Sequence, residues 1–517
     1  MMYKPRLVVS LAFGLLAALP ARSEIRLPSL IADHMILQEG EKVCIWGQSD
    51  PEERVTVRFR GQMRSATADD NGHWRVELDP TTPGGPFEMT IAGTNVIQLR
   101  DIYVGQVWVC AGQSNMWWPM KWSDRTASEI AQGGSPRIHL YRVRRCPSPS
   151  PLPDAGGKWV DCNPNTVAEF SAVGYFFGRE LQQSLGGPIG LIESAYGATP
   201  AESWTDVAWL KKDPDFKAIF DRWRRTVDDY CRAWPGYVKR YQAWKQACDA
   251  AKRSNRPIPP KPAAPQPHPS VNPYQPGGLY NSMVYPLANY RIKGVIWYQG
   301  EQNADRGYQY RKLFPTLIRC WRNTWKMNDL PFLFVQLANY MKPNPQPVPS
   351  RWAELREAQL LTAEKVPDTG LVVAVDVGAA DTIHPRDKWD VGRRLALVAL
   401  SEVYGKKVVC YGPLYDAMAV ENARIRIRFK YSQYGLVTRG GGELKGFIVA
   451  GSDRKFVPAR ATIDGDTVVV WSDAVRNPVA VRYAWADNPV CNLYNRAGLP
   501  AVPFRTDDWP GVTAGVR

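Results

Sequence analysis

The chain has 517 residues, with 65 Lys+Arg against 50 Asp+Glu, for a net charge of +15. An apolar fraction of 44% and a charged fraction of 22% belong to a folded globular chain and exclude disorder as its dominant state. At roughly 100–200 residues per domain, the length predicts about two to four domains. The basic excess does not cluster: its densest run is Arg142, Arg144 and Arg145, and no zinc-finger, basic-zipper or aromatic-basic RNA signature accompanies it. A diffusely basic, solvated surface is therefore expected, with no nucleic-acid partner.

In chain order, Lys4 and Arg6 precede an uncharged apolar run from Leu7 to Leu19, and Ala21-Arg22-Ser23 supplies small residues for a cleavage site. The run is too short to span a bilayer and fits the core of a signal peptide over 1–23. The chain is thus expected to be exported, to the periplasm or the medium. Removing Lys4, Arg6 and Arg22 lowers the net charge from +15 to +12. No later segment reaches the roughly 18 uncharged apolar residues of a membrane span, so none is expected in the mature chain. An oxidising compartment permits disulfides, and Cys146–Cys162 and Cys231–Cys248 are bridges compatible with separation alone; buried free thiols fit equally well. None of the nine cysteines forms a CxxC pair, which argues against a structural metal.

Residues 24–102 read as a small β-sandwich, from the alternation in Val55-Thr56-Val57-Arg58-Phe59 and the turn Asp70-Asn71-Gly72 before Trp74-Arg75-Val76. From about 103 to 412, apolar strands alternate with helical patterns, the mark of a parallel α/β sheet. Five strands are expected, at Tyr103–Cys110, Ile189–Glu193, Gly294–Tyr298, Phe332–Leu337 and Gly370–Asp376. Helices are expected at Gly174–Leu185, Tyr308–Lys326, Ser350–Glu364 and Val391–Val403. Residues 206–276, helical and then Pro-rich, read as an insertion that caps the site or offers a partner surface. Beyond 413 the chain returns to β: Ile425, Ile427 and Phe429 alternate with Arg424, Arg426 and Arg428, and Asp464-Gly465 marks a hairpin turn. This C-terminal β module and its tail run to 517.

Ligands of an open parallel sheet bind beyond the carboxyl ends of its strands. The first strand leads into Gly112-Gln113-Ser114, the second into Tyr196-Gly197, the third into Gln299-Gly300-Glu301-Gln302-Asn303 and the fifth into Asp381-Thr382-Ile383-His384. A serine hydroxyl needs an adjacent base to act as a nucleophile, and His384 is the histidine placed at the strand ends. His34 and His73 fall in the β region, His139 in an apolar strand-like run and His268 among prolines. Asp381 could orient the imidazole, or serve only as a turn or cap residue; Glu301 is a second acidic candidate. The backbone N–H groups of Ser114 and Gly197 and the side-chain amide of Asn303 are suited to holding an oxyanion.

Three blocks, Gly112-Gln113-Ser114-Asn115-Met116, Trp297-Tyr298-Gln299-Gly300-Glu301-x-Asn303 and Asp381-x-x-His384-Pro385, resemble those of the sialate O-acetylesterase family. The likeness extends to Leu27–Met35, to Leu279-Tyr280-Asn281-x-Met283, to Lys388 with Arg394-Leu395-Ala396, and to Asn492–Asn495 and Phe504–Trp509. The resemblance implies an SGNH-type hydrolase with a flavodoxin-like sheet that removes acetyl esters from sugars, with Ser114, His384 and Asp381 catalytic and no metal or organic cofactor. Gln113, Gln299, Glu301 and Arg356 are candidate substrate contacts; Arg356 and Gln359 fit a salt bridge or a cap equally well. The family pattern Trp-Gly-Gly-Thr is here Tyr196-Gly197-Ala198-Thr199, and Gln302 and Ser282 replace smaller residues, changes that bear on substrate preference. Sialic acid esters are the leading substrates. Acetylated xylan or another polysaccharide is the alternative within the class, and an inactive carbohydrate-binding protein the alternative outside it. Trp117, Trp118, Trp204 and Trp297 suit either sugar stacking or core packing.

Overall fold

The computed structural model describes residues 24–517 apart from positions 125, 133 and 266. The expected signal segment, 1–23, lies outside the described residues. The centre is a seven-stranded sheet formed by β1 (Val96–Gly112), β2 (Ser135–Arg142), β3 (Trp159–Cys162), β4 (Ile189–Ala195), β5 (Gly294–Tyr298), β6 (Phe332–Val335) and β7 (Thr369–Val372). Their spatial order is β7-β6-β5-β1-β4-β2-β3. All neighbours run parallel except β3, which closes the edge antiparallel to β2.

The sheet is covered on both faces, and its residues alternate accordingly. Trp108 and Cys110 of β1, Ile296 and Tyr298 of β5, and Leu333 and Val335 of β6 pack in one apolar layer with Phe176, Phe177, Val391 and Leu395. Val109 and Ala111, Val295 and Trp297, and Phe332 and Phe334 face the other layer, with Leu313, Phe314, Trp321 and Leu355. The helices α2 (Ala172–Leu185) and α6 (Trp389–Val398) thus lie on one side, and α4 (Gly307–Trp325) and α5 (Arg351–Lys365) on the other. A methyl group on Gly392 would come within 2.6 Å of the Phe176 Cβ, so glycine there lets α2 and α6 approach closely.

The strands expected for the sheet are present, and β5 has the limits read from the sequence. Two are not among the expected five: β3, a four-residue edge strand, and β2, which pairs on both sides and holds the strand-like run around His139. The boundary placed at 102/103 falls inside β1, a single strand of 17 residues. Its first half alternates exposed and buried residues, as in a half-covered antiparallel sheet, and its second half is buried throughout, as in the middle of a covered parallel one. The chain therefore passes from the N-terminal β region into the central sheet without a break.

Residues 206–276 leave the sheet between β4 and β5. They contain α3 (Lys217–Arg253), 37 residues long, followed by a Pro-rich return. Successive rings of Tyr230, Trp234, Tyr237, Tyr241 and Trp244 lie 5.3–5.8 Å apart along α3. The return segment is tied to this ladder where the Trp244 Nε1 donates to the Pro259 carbonyl at 2.8 Å. The C-terminal region is antiparallel; in Arg424–Lys430 the arginines point out and Ile425 and Ile427 in, and the hairpin turns at Gly465 as expected. No helix among the described residues is long and apolar enough to cross a membrane.

All nine cysteines are free thiols. The two suggested bridges fail for reasons of distance. Cys231 and Cys248 both sit on α3, so at about 1.5 Å rise per residue they are roughly 25 Å apart. Cys162 pairs with Ser135 at the start of β2, whereas Cys146 lies beyond its other end.

Candidate active site

β1 lies where the strand order reverses, flanked by β4 and β5, so the loops after these three strands open toward one crevice. Close approach sets the local geometry. A Cβ on Gly112 would lie 2.2 Å from the Tyr298 carbonyl oxygen of β5, and the Gly112 φ of +137° is one that other residues rarely adopt. The chain then turns into the single-turn helix α1 (Ser114–Trp117), held by the Gln113 N–H donating to the Tyr298 carbonyl at 3.0 Å.

His384 reaches this point from β7, three strands away. The connection from β7 to α6 therefore has to cross back over β6 and β5, and it is anchored along the way. Asp376 receives both Arg394 Nη atoms, at 2.7 and 2.8 Å, and the Tyr494 hydroxyl at 2.9 Å. The Gly378 N–H donates to the Asn339 Oδ1 at 2.6 Å. The result is a separation of 2.8 Å between His384 Nε2 and Ser114 Oγ. A neutral imidazole with its lone pair on Nε2 accepts the serine proton across that distance, which is the geometry of a base-activated nucleophile.

The imidazole is held by an aromatic face. Trp118 stacks on His384 with ring centroids 4.9 Å apart and planes 24° apart. Beneath the pair runs a polar chain. Asn115 Nδ2 donates to Glu301 Oε1 at 2.6 Å, and the fully buried Lys388 Nζ donates to Asn115 Oδ1 at 2.6 Å. The ammonium lies 5.6 Å from the Trp118 ring centroid and 5.5 Å from that of Tyr298. Burial pushes Lys388 down to about 7, against the opposing pull of Glu301 and Asp387. Burial and the nearby Lys388 charge both hold His384 below the ordinary imidazole range, so the neutral base persists into mild acid.

Gly197 lies against Ser114, and Asn303 is fixed by its own contacts. A Cβ added to Gly197 would lie 3.5 Å from the Ser114 Cβ, an ordinary van der Waals distance. Asn303 is buried; its Oδ1 accepts from the Ala201 N–H at 2.9 Å and from Gln299 Nε2 at 2.7 Å. One Nδ2 hydrogen goes to Glu202 Oε2 at 2.9 Å, which fixes the amide orientation, and Arg306 in turn holds the other oxygen of Glu202 at 2.9 Å.

Several expected roles do not match their positions. Asp381 is exposed, and neither a hydrogen bond nor an ion pair joins it to His384. The loop backbone carries it outward, while the His384 N–H donates to the Thr382 hydroxyl at 3.1 Å. Glu301 bonds to Asn115 rather than to the imidazole. Gln113 is buried and accepts from the Gly300 N–H at 3.4 Å; Gln299 is buried between the Thr199 carbonyl and the Tyr310 hydroxyl. Arg356 is wholly enclosed, its guanidinium donating to the carbonyls of Leu337, Ala338, Ala486 and Asp487 at 2.6–2.9 Å. Gln359 likewise binds the Leu337 N–H and the Val335 and Gln299 carbonyls. Gln113, Gln299, Arg356 and Gln359 shape the site from within and are buried away from any substrate. Trp204 and Trp297 are core residues, while Trp117 and Trp118 border Ser114.

The sequence reading missed two features. Lys388 stands out in the sequence only for its place in a motif, because nothing in a sequence shows an ammonium buried close enough to act on the imidazole. Arg145 was read as one of a dispersed charge run. It follows β2 at the same end of the sheet as Ser114, remains exposed, and sets its Cζ 4.6 Å from the Trp117 ring centroid. A cleft of about 830 Å³ lies elsewhere, in the C-terminal β region around Trp471 and Trp485, and contains none of the residues gathered at Ser114.

Comparison with known proteins bears on this arrangement. Residues 270–401 match the family described as carbohydrate esterase, sialic acid-specific acetylesterase. The chain is 31% identical to a sialate O-acetylesterase of Rattus norvegicus, over 93% of this chain and 94% of that one. It is 30% identical to the Homo sapiens protein of the same name, over the whole of both. Among solved structures it resembles a carbohydrate acetylesterase from Xanthomonas citri, with a TM-score of 0.80 and 36% identity over 94% of this chain and 100% of the other.

Proposed function

Since the chain belongs to the sialate O-acetylesterase family, a family of carboxylic ester hydrolases, we propose that it removes O-acetyl groups from sialic acids with Ser114 as nucleophile. The observation that carries this reading is the 2.8 Å contact between His384 Nε2 and Ser114 Oγ at the switch point of the sheet. Ser114 Oγ attacks the acetyl carbonyl as its proton passes to His384 Nε2. The Ser114 and Gly197 N–H groups and the free Nδ2 hydrogen of Asn303 hold the oxyanion; each such donor is typically worth about 100- to 1000-fold in rate. His384 then protonates the departing sugar oxygen. Water, deprotonated by the same imidazole, releases acetate from the acetyl-serine.

The three indoles of Trp117, Trp118 and Trp122 form a contiguous rim beside Ser114, a surface suited to a sugar ring. Arg145, at the same rim, is placed to meet the carboxylate that distinguishes a sialic acid from a neutral sugar. A second substrate class, an acetylated carbohydrate other than sialic acid such as xylan, is compatible with the likeness to the Xanthomonas citri carbohydrate acetylesterase. The preserved Ser114–His384 pair weighs against a merely binding protein. In this reading the chain is exported, to the periplasm or the medium, behind a signal peptide over 1–23. Residues 24–102 form a β-sandwich, and the flavodoxin-like SGNH domain is followed by a β module from 413.

The test is acetate release from O-acetylated sialic acids, acetylated xylan and acetylated hexoses, by wild type and by Ser114→Ala. Release by wild type that falls at least about 1000-fold in the variant is expected, the loss usual for a serine nucleophile. Equal slow release by both proteins overturns the assignment, and a preference for xylan moves it to the second class.

A further inference from the structure

We propose that His34, Asp101, His139 and Asp161 form a binding site for one divalent transition-metal ion, zinc by preference, which staples the N-terminal β region to the edge of the central sheet. Four separate segments meet here. His34 precedes the short strand Ile36–Gln38, which pairs with β1 from Tyr103 to Gly105. Asp101 lies in β1, while His139 of β2 and Asp161 of β3 are direct cross-strand partners and so share a face.

The arrangement is poorly explained by hydrogen bonds alone. His34 Nδ1 lies 2.6 Å from Asp101 Oδ2 and 2.9 Å from Asp161 Oδ1, so one ring nitrogen faces two carboxylates. A single N–H cannot be directed at both, and the two negative charges oppose each other. The ligating atoms of His34, Asp101 and Asp161 all fall within 4.8 Å of one another. A tetrahedral zinc with bonds of about 2.0–2.2 Å holds its ligand atoms about 3.3 Å apart, a spacing that small side-chain shifts reach from here.

His139 supplies the independent observation. It is 1% exposed, and its Nδ1 lies 2.5 Å from the His34 carbonyl oxygen. A carbonyl only accepts, so Nδ1 carries the proton and Nε2 carries the lone pair. That Nε2 has no hydrogen bond among the described residues and points at Asp161 Oδ1 across 3.8 Å. A buried imidazole whose far nitrogen is fixed by a backbone carbonyl, and whose near nitrogen faces the Asp161 carboxylate, is prepared for a metal. Two imidazoles and two carboxylates suit zinc and its first-row neighbours, and they balance a divalent charge. The site is open to ions, since the side chains of His34, Asp101 and Asp161 are 39%, 32% and 51% exposed. It is also remote from the chemistry: Asp101 precedes the end of β1 by 11 residues, roughly 35 Å at about 3.3 Å each. Cysteine spacing argued against a structural metal because it cannot report ligands scattered over four strands and loops.

The test is calorimetric titration of zinc chloride into the chelator-stripped full chain, with thermal unfolding in parallel. Binding of one ion per chain and a midpoint raised by several degrees are expected. His139→Gln and Asp161→Asn should each weaken binding at least about tenfold, and His384→Asn should leave it unchanged. His34→Gln, at an exposed position, provides the same loss if the buried variant fails to fold. Acetate release by the stripped enzyme should match that of the loaded one, which separates this staple from the catalytic reading. Absence of binding below about 100 µM zinc, or equal binding by His34→Gln and wild type, overturns the proposal.

Discussion

A histidine that accepts a proton from serine must be neutral, so the pH range of activity depends on what surrounds the ring. Burial disfavours the imidazolium of His384, and the Lys388 charge disfavours it further. Both effects lower the pKa, and the acid limb of kcat/KM should fall below the ordinary imidazole value of about 6.5. Lys388→Met removes the cation and should move that limb to higher pH, which a pH–rate profile of the two proteins decides. Asp381 is exposed and unpaired with the base, so Asp381→Asn should leave kcat/KM within a factor of about two. A loss near the roughly 10⁴-fold seen when a hydrogen-bonded triad aspartate is changed would contradict the geometry. Arg145→Met should raise KM for an acetylated sialic acid about tenfold, the low end of a charge-assisted hydrogen bond, and leave a neutral acetyl ester unaffected. Serine, histidine and glycine could be read as candidates because each follows an apolar strand. Their neighbours Lys388 and Arg145 could not, because burial and orientation are properties of the folded chain.

Strands and helices were legible from periodicity, and the physical reason is the double covering of the sheet. Its inner strands must be continuous apolar runs, and its helices must carry one apolar face. The edge strand β3 has fewer apolar neighbours to satisfy and so carries a weaker signal. The loop from β7 to His384 has no periodicity at all; its shape is decided by Asp376. Burial raises the Asp376 pKa, but the Arg394 and Tyr494 hydrogen bonds and the Arg394 charge outweigh it, so the folded value lies below the ordinary one. A depressed carboxylate contributes stability that is complete above the unfolded pKa of about 3.9 and disappears as pH falls through the lower folded value. Asp376→Asn should therefore destabilise the protein by about 3 kcal/mol near neutral pH, since it leaves Arg394 buried with a weaker partner, and the deficit should shrink in acid. Denaturant unfolding at neutral pH and near pH 3 checks both. The same variant should lower kcat, because the loop that it loosens carries the base.

At the scale of the whole molecule, Arg356 joins parts that are distant in sequence. Its four carbonyl partners belong to the loop after β6 and to the segment at 486–487, so one guanidinium ties the central sheet to the C-terminal region. Arg356→Met keeps most of the volume but orphans buried carbonyls, each worth about 1–3 kcal/mol, and should lower the thermal midpoint or split the unfolding transition. An unchanged single transition would show that the clamp is dispensable. The sequence leaves Arg356 open between a substrate contact and a structural salt bridge or cap; its enclosure by carbonyls from both regions gives it the structural role.

The sequence by itself determined the order of β, α/β and β regions, the strands at the centre of the sheet, and the convergence of Ser114, Gly197, Asn303 and His384 at one end. These follow from local periodicity and from the rule that parallel strands present their following loops on one side. The tertiary structure alone decided which of those groups touch. It turned Asp381 outward, buried Lys388 where its charge acts on the base, and enclosed Gln113, Gln299 and Arg356 as supports. It left the cysteines unbridged and brought His34, Asp101, His139 and Asp161 together. Contacts of this kind depend on chain segments hundreds of residues apart meeting at distances of a few ångströms, and no local pattern carries that information.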